Sequence, residues 1–379
     1  MNNRFMEEAA VHFKALLWDQ VLRQERMKQQ TEIVDYSKLD KIVIGCIDGD
    51  GIGPIIMKEA VKTLEILLKE EIEAGKIELR KIEGLTIERR LELEKTLPED
   101  VMEQIKNCDV ILKGPTTTPT GGGLESANVA IRRALDLYAN VRPVEIPELN
   151  IDWIFYRENT EGLYALGSRG IEVPDTLAID FKVTTEAGTR RIAKAAFEEA
   201  RRNGKNRLTI VTKANIMKKT DGMFLKIARE VSKDYPEVKV DEYYIDIMCA
   251  NLLNESIRSD FNVVLLPNLY GDIITDEAAQ IQGGVGTAGS ANIGSRYAMF
   301  EAIHGSAPKK IERGEGEYAN PQSILKAAVL MLGHIGLTEK AEKLNNCIVE
   351  CENEAKVRIT GHRDGATAAE FGEYLREKL

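Results

Sequence analysis

The hydrophobic pattern of this 379-residue chain changes character near residue 41. Before that point, residues 4–29 repeat apolar side chains such as Phe13 and Leu16 at helical spacing, which predicts an amphipathic helix and then a polar linker. After it, short runs rich in β-branched residues are each followed by a longer stretch of helical spacing. Strands are predicted at 41–48, 109–114, 208–213 and 262–268, and helices at 55–68, 186–203, 220–234 and 322–332. This alternation indicates an α/β fold with an at least partly parallel sheet.

Glycine-rich stretches interrupt this pattern at three places. The stretches 114–123 and 283–294 predict loops, and long glycine loops in compact enzymes often carry a site. Residues 49–54, Gly-Asp-Gly-Ile-Gly-Pro, follow a predicted strand and open a helix. Their spacing is not the G-x-G-x-x-G of a Rossmann dinucleotide site, and no acidic residue ends a second strand about 20 residues later. We therefore reject the Rossmann interpretation.

Composition narrows the class of partner and the compartment. The net charge is -10 with both signs mixed along the chain, which argues against nucleic acid as the main partner. No apolar run approaches the roughly 20 residues that span a bilayer, so no membrane partner is expected. The first 30 residues contain four acidic residues, which fits neither a secretory signal nor a transit peptide. The five scattered cysteines predict reduced thiols, and we expect a cytoplasmic protein.

The first helix has two possible roles. We expect it to pack on its own chain or on a sister subunit, and a separate recruitment module is the alternative.

A cluster of polar side chains between residues 114 and 164 is suited to an anionic ligand. Its members are Ser126, Asn128, Arg132, Arg142, Arg157 and Tyr164. A guanidinium group binds a carboxylate through two parallel hydrogen bonds, so several arginines suit a di- or tricarboxylate. The alternative is that each arginine lies on a solvated helix face.

Two further clusters point to a cation and a nucleotide. Asp272 and Asp276 are four residues apart on a predicted helix, where a divalent cation would offset the repulsion between their carboxylates. Oxygen ligands suit Mg²⁺ or Mn²⁺. The alternative is a helix cap and one exposed acid. His304 lies beside glycine and serine in a predicted loop whose backbone N–H groups could meet a phosphate or nucleotide, although a lone histidine is usually structural.

Together and in this order, the glycine stretch 49–54 and these three clusters resemble the isocitrate and isopropylmalate dehydrogenase family of metal-dependent β-decarboxylating dehydrogenases. The resemblance covers about residues 41–379. It implies that family's own α/β fold, which is not a Rossmann fold. Residues 41–137 and 284–379 would form a large domain from both chain ends, 138–283 a small dimerising domain, and 1–40 a helical extension and linker. It also implies a homodimer with active sites shared between subunits.

The loop around Ser126 indicates the substrate. Ser126-x-Asn128 followed by Arg132 is similar to the isocitrate dehydrogenase pattern, in which the serine and asparagine meet the γ-carboxylate. The resemblance therefore implies oxidation and decarboxylation of isocitrate to 2-oxoglutarate and CO₂ with reduction of NAD(P). Glu125 departs mildly from this pattern and keeps homoisocitrate open. Isopropylmalate and tartrate are further alternatives, and a non-catalytic regulatory subunit is a rival of another class.

The resemblance assigns a role to each matching residue. Three arginines would hold the substrate carboxylates: Arg132, Arg142 and Arg157. Three aspartates would bind Mg²⁺ or Mn²⁺: Asp272, Asp276 and the partner subunit's Asp246. Lys213 of the partner subunit would help remove the hydroxyl proton, hydride would pass to the nicotinamide, and Tyr164 would deliver the final proton after CO₂ leaves.

The resemblance also implies a set of residues that bind the dinucleotide: Thr118, Asn215, His304, Gly305, Ser306, Ala307, Lys309, Lys310, Asn320 and Arg363. Relatives that use NAD have Asp-Ile where this chain has Lys309-Lys310, and bacterial NADP enzymes have Lys-Tyr. Cations here would attract a 2′-phosphate, so NADP is favoured over NAD. Lys310 is not the expected tyrosine, and the loop to Asn320 is two residues longer than usual. The alternative is that both lysines are solvated and do not affect the choice.

Overall fold

The structure of the protein is a computed structural model, which describes residues 3–29, 33–119, 123–167, 169–202, 204–284 and 288–379. The strands are β1 Ile42–Ile47, β2 Ile77–Ile82, β3 Val110–Lys113, β4 Ala139–Ile146, β5 Ile151–Glu158, β6 Ile171–Val173, β7 Leu177–Ile179, β8 Arg207–Thr212, β9 Lys239–Tyr244, β10 Val263–Leu266, β11 Gly289–Ile293 and β12 Ala298–Ala302. The helices are α1 Asn3–Gln29, α2 Gly53–Leu67, α3 Lys69–Glu73, α4 Ile87–Glu92, α5 Glu99–Lys106, α6 Ala127–Ala134, α7 Glu186–Arg202, α8 Thr220–Ser232, α9 Ile245–Leu253, α10 Asn268–Ile281, α11 Pro308–Glu312, α12 Gln322–His334, α13 Thr338–Glu354 and α14 Ala368–Glu377. Short 3₁₀ turns lie at Tyr36–Lys38, Pro147–Leu149, Arg258–Asp260 and Gly316–Tyr318.

The chain divides into two compact units. The small unit comprises Met1–Ile33 and Pro147–Thr275, and the large unit comprises Val34–Ile146 and Asp276–Leu379. The sequence placed the corresponding boundaries after residues 137 and 283. The first helix belongs to the small unit, and the second boundary falls inside α10.

The large unit carries six strands in the order β2-β1-β3-β12-β11-β4. The first four are parallel, and β11 is antiparallel to both of its neighbours. The apolar side of α2 packs on this sheet with α12, around residues such as Ile44, Ile56 and Leu325 that are fully buried. Because parallel strands end at one edge, the loops that follow β1, β3 and β12 meet there.

The small unit carries four parallel strands in the order β5-β10-β8-β9. Helices α7 and α8 pack on them, and the aromatic side chains of Trp153, Phe155 and Phe197 fill the core. A separate antiparallel pair, β6 and β7, has exposed or half-buried residues only. Arg157 and Lys213 lie at or just after the carboxyl ends of their strands, and Asn268 and Asp246 begin or closely follow the next elements.

The secondary structure confirms the predicted α/β alternation. All four predicted strands and all five predicted helices are present, with ends shifted by one or two residues. Asn203, where one helix was predicted to end, lies outside the described residues. None of the helices in the described part of the chain is both long and apolar enough to cross a membrane.

One loop prediction was wrong in part. Residues 289–293 of the predicted loop 283–294 form β11, and residues 285–287 lie outside the described part of the chain. Glycine, serine, alanine and asparagine gave no hydrophobic signal, but the strand is buried because α12 lies directly on it. A Cβ on Gly289 would lie 2.4 Å from the backbone nitrogen of Ala327, so this contact requires glycine.

Candidate active site

A pocket of about 100 Å³ lies at the carboxyl edge of the large-unit sheet. Its lining brings together three predicted substrate residues, Asn128, Arg132 and Arg142, with the predicted nucleotide residues His304 and Gly305. The polar lining also includes Ser290 and Glu301. The structure therefore joins residues from separate sequence clusters in one polar cavity.

A buried carboxylate holds Arg132 in this pocket. Arg132 Nη2 donates to Glu301 Oε1 at 2.6 Å, and Lys113 Nζ lies 3.4 Å from Glu301 Oε2. Lys113 is completely buried, and Glu301 is 3% exposed. Burial by itself raises the pKa of Glu301, but Arg132 and Lys113 outweigh burial and bring that pKa to about 2. Glu301 is therefore an anion fixed between two cations.

Arg142 is placed by a second buried group. Its Nε donates to Asn140 Oδ1 at 2.9 Å, and Asn140 Nδ2 donates in turn to Ser290 Oγ and Asn292 Oδ1. Arg142 Nη1 donates to Asp276 Oδ1 at 3.2 Å. The Arg142 side chain is 6% exposed, whereas Asp276 is largely exposed. The guanidinium group is therefore held mainly through its Nε by the buried Asn140.

The segment before α6 carries the predicted substrate serine. Ser126 is the N-cap residue of α6, and its side chain makes no capping hydrogen bond. It does not line the pocket, whereas Asn128, in the first turn of the helix, accepts a 2.8 Å hydrogen bond from Thr116 Oγ1 and does. Glu125 pairs with Arg133 at the surface. The departure from the isocitrate pattern at Glu125 is therefore neutralised by a neighbouring helix residue.

The glycine cluster at residues 49–54 packs against both site loops. A Cβ on Gly49 would lie 2.2 Å from the Pro115 carbonyl oxygen, and one on Gly51 would lie 2.0 Å from that of Ser306. Both glycines also have positive φ, which side chains disfavour. Asp50 accepts from Thr117 N at 2.7 Å and from the backbone nitrogen at residue 87 at 2.8 Å. The cluster is thus a scaffold for the substrate and nucleotide loops.

A buried arginine fixes the substrate loop at both ends. Arg90 is fully buried and donates to three carbonyl oxygens, those of Thr96, Thr117 and Glu125, at 2.9, 2.9 and 3.0 Å. Burial lowers the pKa of Arg90, and Asp50 counteracts this effect. The guanidinium group therefore ties the start of the 117–125 segment to its end.

Apart from Asn215, the predicted nucleotide residues form two groups in the large unit, and Thr117, which was not among them, contacts the first group. In the first, Thr117 Oγ1 and Ser306 Oγ share a 2.7 Å hydrogen bond, and Ala307 has a left-handed backbone before α11. Desolvation lowers the pKa of His304, so its imidazole favours the neutral form. Thr118 is exposed on the substrate loop.

The second nucleotide group joins α11 to the segment near Arg363. Lys310 Nζ donates to the Gly361 carbonyl oxygen at 2.6 Å, and Arg363 Nη2 donates to that of Arg313 at 2.9 Å. Lys309 is exposed, and Asn320 hydrogen bonds with Gln322. The structure therefore brings the predicted lysines and Arg363, which are about 50 residues apart, into adjoining segments.

In the small unit, Arg157 at the end of β5 is nearly completely buried. Its Nε and Nη2 donate to Asn268 Oδ1 at 3.0 and 2.7 Å, and its Nη1 donates to Asp272 Oδ1 at 2.5 Å. A Cβ on Gly271 would lie 2.5 Å from Arg157 Cγ, so glycine lets α10 lie against the arginine stem. The guanidinium group is thus oriented by α10.

Tyr164 shares the same carboxylate. Its hydroxyl donates to Asp272 Oδ2 at 2.6 Å, and the Arg157 guanidinium carbon lies 5.4 Å from the tyrosine ring centroid. The structure therefore brings Arg157, Tyr164 and Asp272 together, as their predicted roles require.

Lys213 and Asp246 form a separate pair in the small unit. Lys213 Nζ donates to Asp246 Oδ1 at 2.6 Å, and this bond holds the pKa of Asp246 below its ordinary value. The aspartate is largely exposed. Asn215 is also exposed, in the turn that follows Lys213.

The carboxylates of Asp272 and Asp276 are the type of ligand that suits a hard divalent cation, although one chain supplies an incomplete set of metal ligands. Asp272 and Asp276 are one turn apart on α10, with side chains 41% and 62% exposed. Within the described residues, no three His, Cys, Asp or Glu side chains lie close enough together to hold a metal. The donor set therefore fits Mg²⁺ or Mn²⁺ provided that another molecule adds ligands, as the predicted Asp246 of the partner subunit would.

Four residues that shape the pocket and its loop were missed as site residues by the sequence: Lys113, Asn140, Glu301 and Arg90. Lys113 ends and Glu301 interrupts an otherwise apolar strand, and this unusual position was the available signal. Arg90 and Asn140 gave none, because only the fold shows that they are buried.

Comparison with known proteins identifies the family. The isocitrate/isopropylmalate dehydrogenase family model matches residues 43–374. The chain is 44% identical over 309 residues to "Isocitrate dehydrogenase [NADP]" of Rickettsia felis, with 79% of this chain and 60% of that protein covered. It is 36% identical to a mitochondrial protein of Dictyostelium discoideum that is named as a regulatory subunit of isocitrate dehydrogenase [NAD], with 90% and 93% covered.

A solved structure agrees with this assignment. The crystal structure of isocitrate dehydrogenase from Methylococcus capsulatus superposes with a TM-score of 0.80 at 34% identity, covering 89% of this chain and 99% of that one. The chain spans about 60% of the length of the Rickettsia relative. The predicted family fold is confirmed, and the chain belongs to the isocitrate/isopropylmalate dehydrogenase family.

Proposed function

We propose that the chain oxidises and decarboxylates isocitrate, giving 2-oxoglutarate and CO₂ while one hydride reduces NAD(P). The observation that carries this proposal is the large-unit pocket in which Arg132, Arg142 and Asn128 lie with His304. Two planar guanidinium groups in one cavity suit a polycarboxylate, since each can bind a carboxylate through two hydrogen bonds.

The polar lining favours isocitrate over substrates with an apolar substituent. Ser290 and Glu301 add to the polar wall, and the pocket exposes little apolar surface of its own. An isopropyl group would offer Arg132 and Arg142 no carboxylate in this cavity, and sites built around polar groups reject such an analogue strongly. Glu125, the residue that kept homoisocitrate open, is paired with Arg133 and leaves the isocitrate pattern intact.

Each catalytic group has a defined task. Arg132, Arg142 and Arg157 hold the substrate carboxylates, and the partner subunit's Lys213 accepts the hydroxyl proton as the C–H hydride leaves. Tyr164, whose hydroxyl lies beside Asp272 at 2.6 Å, returns a proton to the carbon that loses CO₂. Mg²⁺ or Mn²⁺ held by Asp272, Asp276 and the partner subunit's Asp246 would polarise the oxygen atoms of the substrate.

The cofactor is NADP rather than NAD. The Lys309 side chain is exposed, and the segments that carry Lys310 and Arg363 adjoin because each of these two side chains donates to a backbone carbonyl oxygen of the other segment. A 2′-phosphate adds negative charge that these cations attract, while NAD lacks that charge. Relatives are named for either cofactor, so this choice depends on the local residues.

The active enzyme is a homodimer whose subunits share each active site. Two observations support this. Lys213 and Asp246, the two residues assigned to the partner's active site, lie together in this chain, so one surface presents both. Leu177 and Ile179 of β7 are apolar but 46% and 40% exposed, which suits a strand that packs against a second subunit. A heterodimer of one Tyr164→Phe chain and one Lys213→Met chain tests this, after purification through two different tags. A shared-site dimer keeps one of its two sites intact, so about half of the wild-type activity returns. If each site belongs to one chain, the heterodimer stays as inactive as its parents.

Steady-state rates test the substrate and cofactor. Reduced nicotinamide is followed by absorbance with isocitrate, homoisocitrate, isopropylmalate and tartrate, each with NAD and NADP and with Mg²⁺ or Mn²⁺. We expect kcat/KM for isocitrate to exceed that for isopropylmalate by roughly 10⁴-fold, as for other sites built around buried polar groups. Higher kcat/KM with any other acid contradicts the substrate assignment.

A regulatory role is the rival function, because a similar Dictyostelium protein is named for one. Tyr164, Lys213 and the three aspartates are present here and argue for catalysis. Turnover by the purified chain alone decides: no activity with any acid and dinucleotide, despite a folded protein, favours the rival.

We place the enzyme in the cytoplasm. Cys46, Cys108, Cys347 and Cys351 are buried free thiols, and burial raises the pKa of Cys46 to about 12 and that of Cys351 to about 11. Inert reduced thiols are typical of a reducing compartment. Fluorescence microscopy of the tagged full chain in its source cells tests the location.

A further inference from the structure

The first helix contacts the segment that carries Tyr164 on both sides of that residue. Before the tyrosine, Arg23 of α1 reaches Thr160 and Glu161. After it, Leu16 packs on Ala165 and Leu166. This helix lies outside residues 43–374, which the family model matches.

The contact made by Arg23 is a nearly buried ion pair. Its Nη1 donates to Glu161 Oε1 at 3.1 Å and its Nη2 to Thr160 Oγ1 at 3.0 Å. The side chains of Arg23 and Glu161 are only 18% and 4% exposed. Removal of one partner from such a pair leaves a desolvated charge without compensation, so the segment would rearrange.

Glu161 belongs to a buried acidic pair beside the catalytic groups. Glu158 accepts from the backbone nitrogens of Thr160 and Glu161 at 2.9 and 2.6 Å. Burial and the neighbouring Glu161 raise the pKa of Glu158 to about 7. Two carboxylates in a small volume need cations, and Arg23 of α1 supplies one while Arg191 supplies another nearby.

The acidic pair connects to Arg157 through one side chain, that of Asn268. The Asn268 side chain donates from Nδ2 to the Glu161 carbonyl oxygen at 3.1 Å, and its Oδ1 accepts from Arg157. Arg157 in turn donates to Asp272, which also accepts from Tyr164. A displacement of Glu161 therefore reaches both the arginine and the tyrosine through a short chain of hydrogen bonds.

The remaining contacts fix the helix along its length. Leu16 is 2% exposed, and Phe13 lies 5.2 Å from Phe181 between ring centroids. His12 Nε2 donates to the Arg169 carbonyl oxygen at 2.9 Å, and Arg169 donates back to Asp19 at 2.8 Å. Loss of Arg23 alone would therefore leave the helix attached.

We infer that α1 is a brace for the catalytic tyrosine, and that Arg23 and Leu16 are positioning residues that act through Glu161, Ala165 and Leu166. This inference rests on the role proposed above for Tyr164. The brace acts on proton delivery by Tyr164 more than on substrate binding, because Leu16 packs on Ala165 and Leu166 directly beside the tyrosine, whereas Arg157 also has its own hydrogen bond to Asp272.

The test compares Arg23→Met with Arg26→Met in the full chain, since Arg26 is exposed on the same helix. Leu16→Ala is paired with Leu17→Ala in the same way, since Leu17 is 51% exposed. Three readouts are taken: kcat and KM for isocitrate, the solvent deuterium isotope effect on kcat, and hydrogen exchange of residues 160–167.

For Arg23→Met we expect kcat to fall about tenfold with KM changed less than about twofold, because a small displacement of a reacting group costs this much or more. The isotope effect should rise as proton delivery becomes slower, and exchange at residues 160–167 should accelerate. Arg23→Lys should recover part of the loss, while Arg26→Met and Leu17→Ala should match the wild type.

Two results overturn the brace. One is an Arg23→Met enzyme with wild-type kcat and wild-type exchange; the other is a lower kcat with an unchanged isotope effect and unchanged exchange. If Leu16→Ala does not fold, the arginine pair still decides. If the wild type does not oxidise isocitrate at all, the proposed function fails, but the exchange measurement still tests whether α1 holds the segment.

Discussion

Replacement of Glu301 by glutamine should destabilise the large unit more than any exposed substitution. Glu301 lies between Arg132 at 2.6 Å and Lys113 at 3.4 Å, and it also accepts from Asn292 at 2.9 Å. Glutamine keeps the shape and one acceptor but removes the negative charge. Two buried cations then face each other without an anion, which costs about 3–5 kcal/mol in comparable buried pairs.

The pKa of Glu301 leads to a similar magnitude. Its pKa falls from the ordinary 4.5 to about 2 in the folded protein. At about 1.36 kcal/mol per pH unit, this corresponds to about 3 kcal/mol of folding free energy. Because the folded pKa is the lower one, this contribution is present above pH 4.5 and is lost as the pH falls toward 2.

Urea unfolding at about pH 7 and about pH 3.5 measures both effects. We expect Glu301→Gln to lose about 3 kcal/mol at neutral pH and less at the acidic pH, because the wild type also starts to lose this stabilisation there. Lys113→Met should partly restore the stability of Glu301→Gln, since it removes one uncompensated cation. Glu99→Gln, in an exposed pair with Lys95, is the control and should not change stability measurably.

The reasoning is wrong if Glu301→Gln stays within about 1 kcal/mol of the wild type at neutral pH, which is the size expected of a surface pair. It is also wrong if the difference between the two proteins does not shrink on acidification. In that case the buried charges would have to be neutralised by another group.

Three further predictions concern loop, pH and cofactor. Arg90→Met should lower the unfolding free energy by about 3 kcal/mol and raise KM for isocitrate, since it leaves buried carbonyl groups unpaired. Arg89→Met is the control in urea unfolding and kinetics, because the Arg89 side chain is 37% exposed. Glu158→Gln should gain stability relative to the wild type as the pH rises from about 5 to about 8 in the same unfolding assay. The reason is that the raised pKa of Glu158 makes the folded wild type less stable as the pH passes from 4.5 to about 7. The same difference in unfolding free energy between the two proteins at about pH 5 and at about pH 8 contradicts this. Lys309→Ala should lower kcat/KM about tenfold with NADP and leave it unchanged with NAD, and equal losses with both would show that Lys309 does not contact the 2′-phosphate.

The hydrophobic pattern predicted the elements well where apolar residues are numerous. The first helix and α7 were predicted correctly because their apolar residues recur at helical spacing, and β1 because it is a short apolar run rich in β-branched residues. By contrast, β11 has one large apolar residue, Ile293, after four small or polar ones whose burial depends on α12, so the local signal for a strand is weak.

The candidate residues were found where their chemical type is conspicuous. Arg132 and Arg142 drew attention because two arginines follow a glycine-rich loop, and the structure places both in one pocket. Lys113 and Glu301 were passed over because each looks like a single charge within an apolar strand. Their pairing joins strands almost 190 residues apart in the chain.

The sequence by itself determined the succession of strands and helices, the family fold and the chemical types available for a polycarboxylate, because these depend on local periodicity and on residue identity. Only the tertiary structure decided that Arg90 and Asp50 fix the substrate loop, and that Glu301 is an anion between two cations. It alone also placed α1 against the segment that carries Tyr164. The physical reason is that burial, and with it the strength of a charge or a hydrogen bond, is set by neighbours distant in sequence.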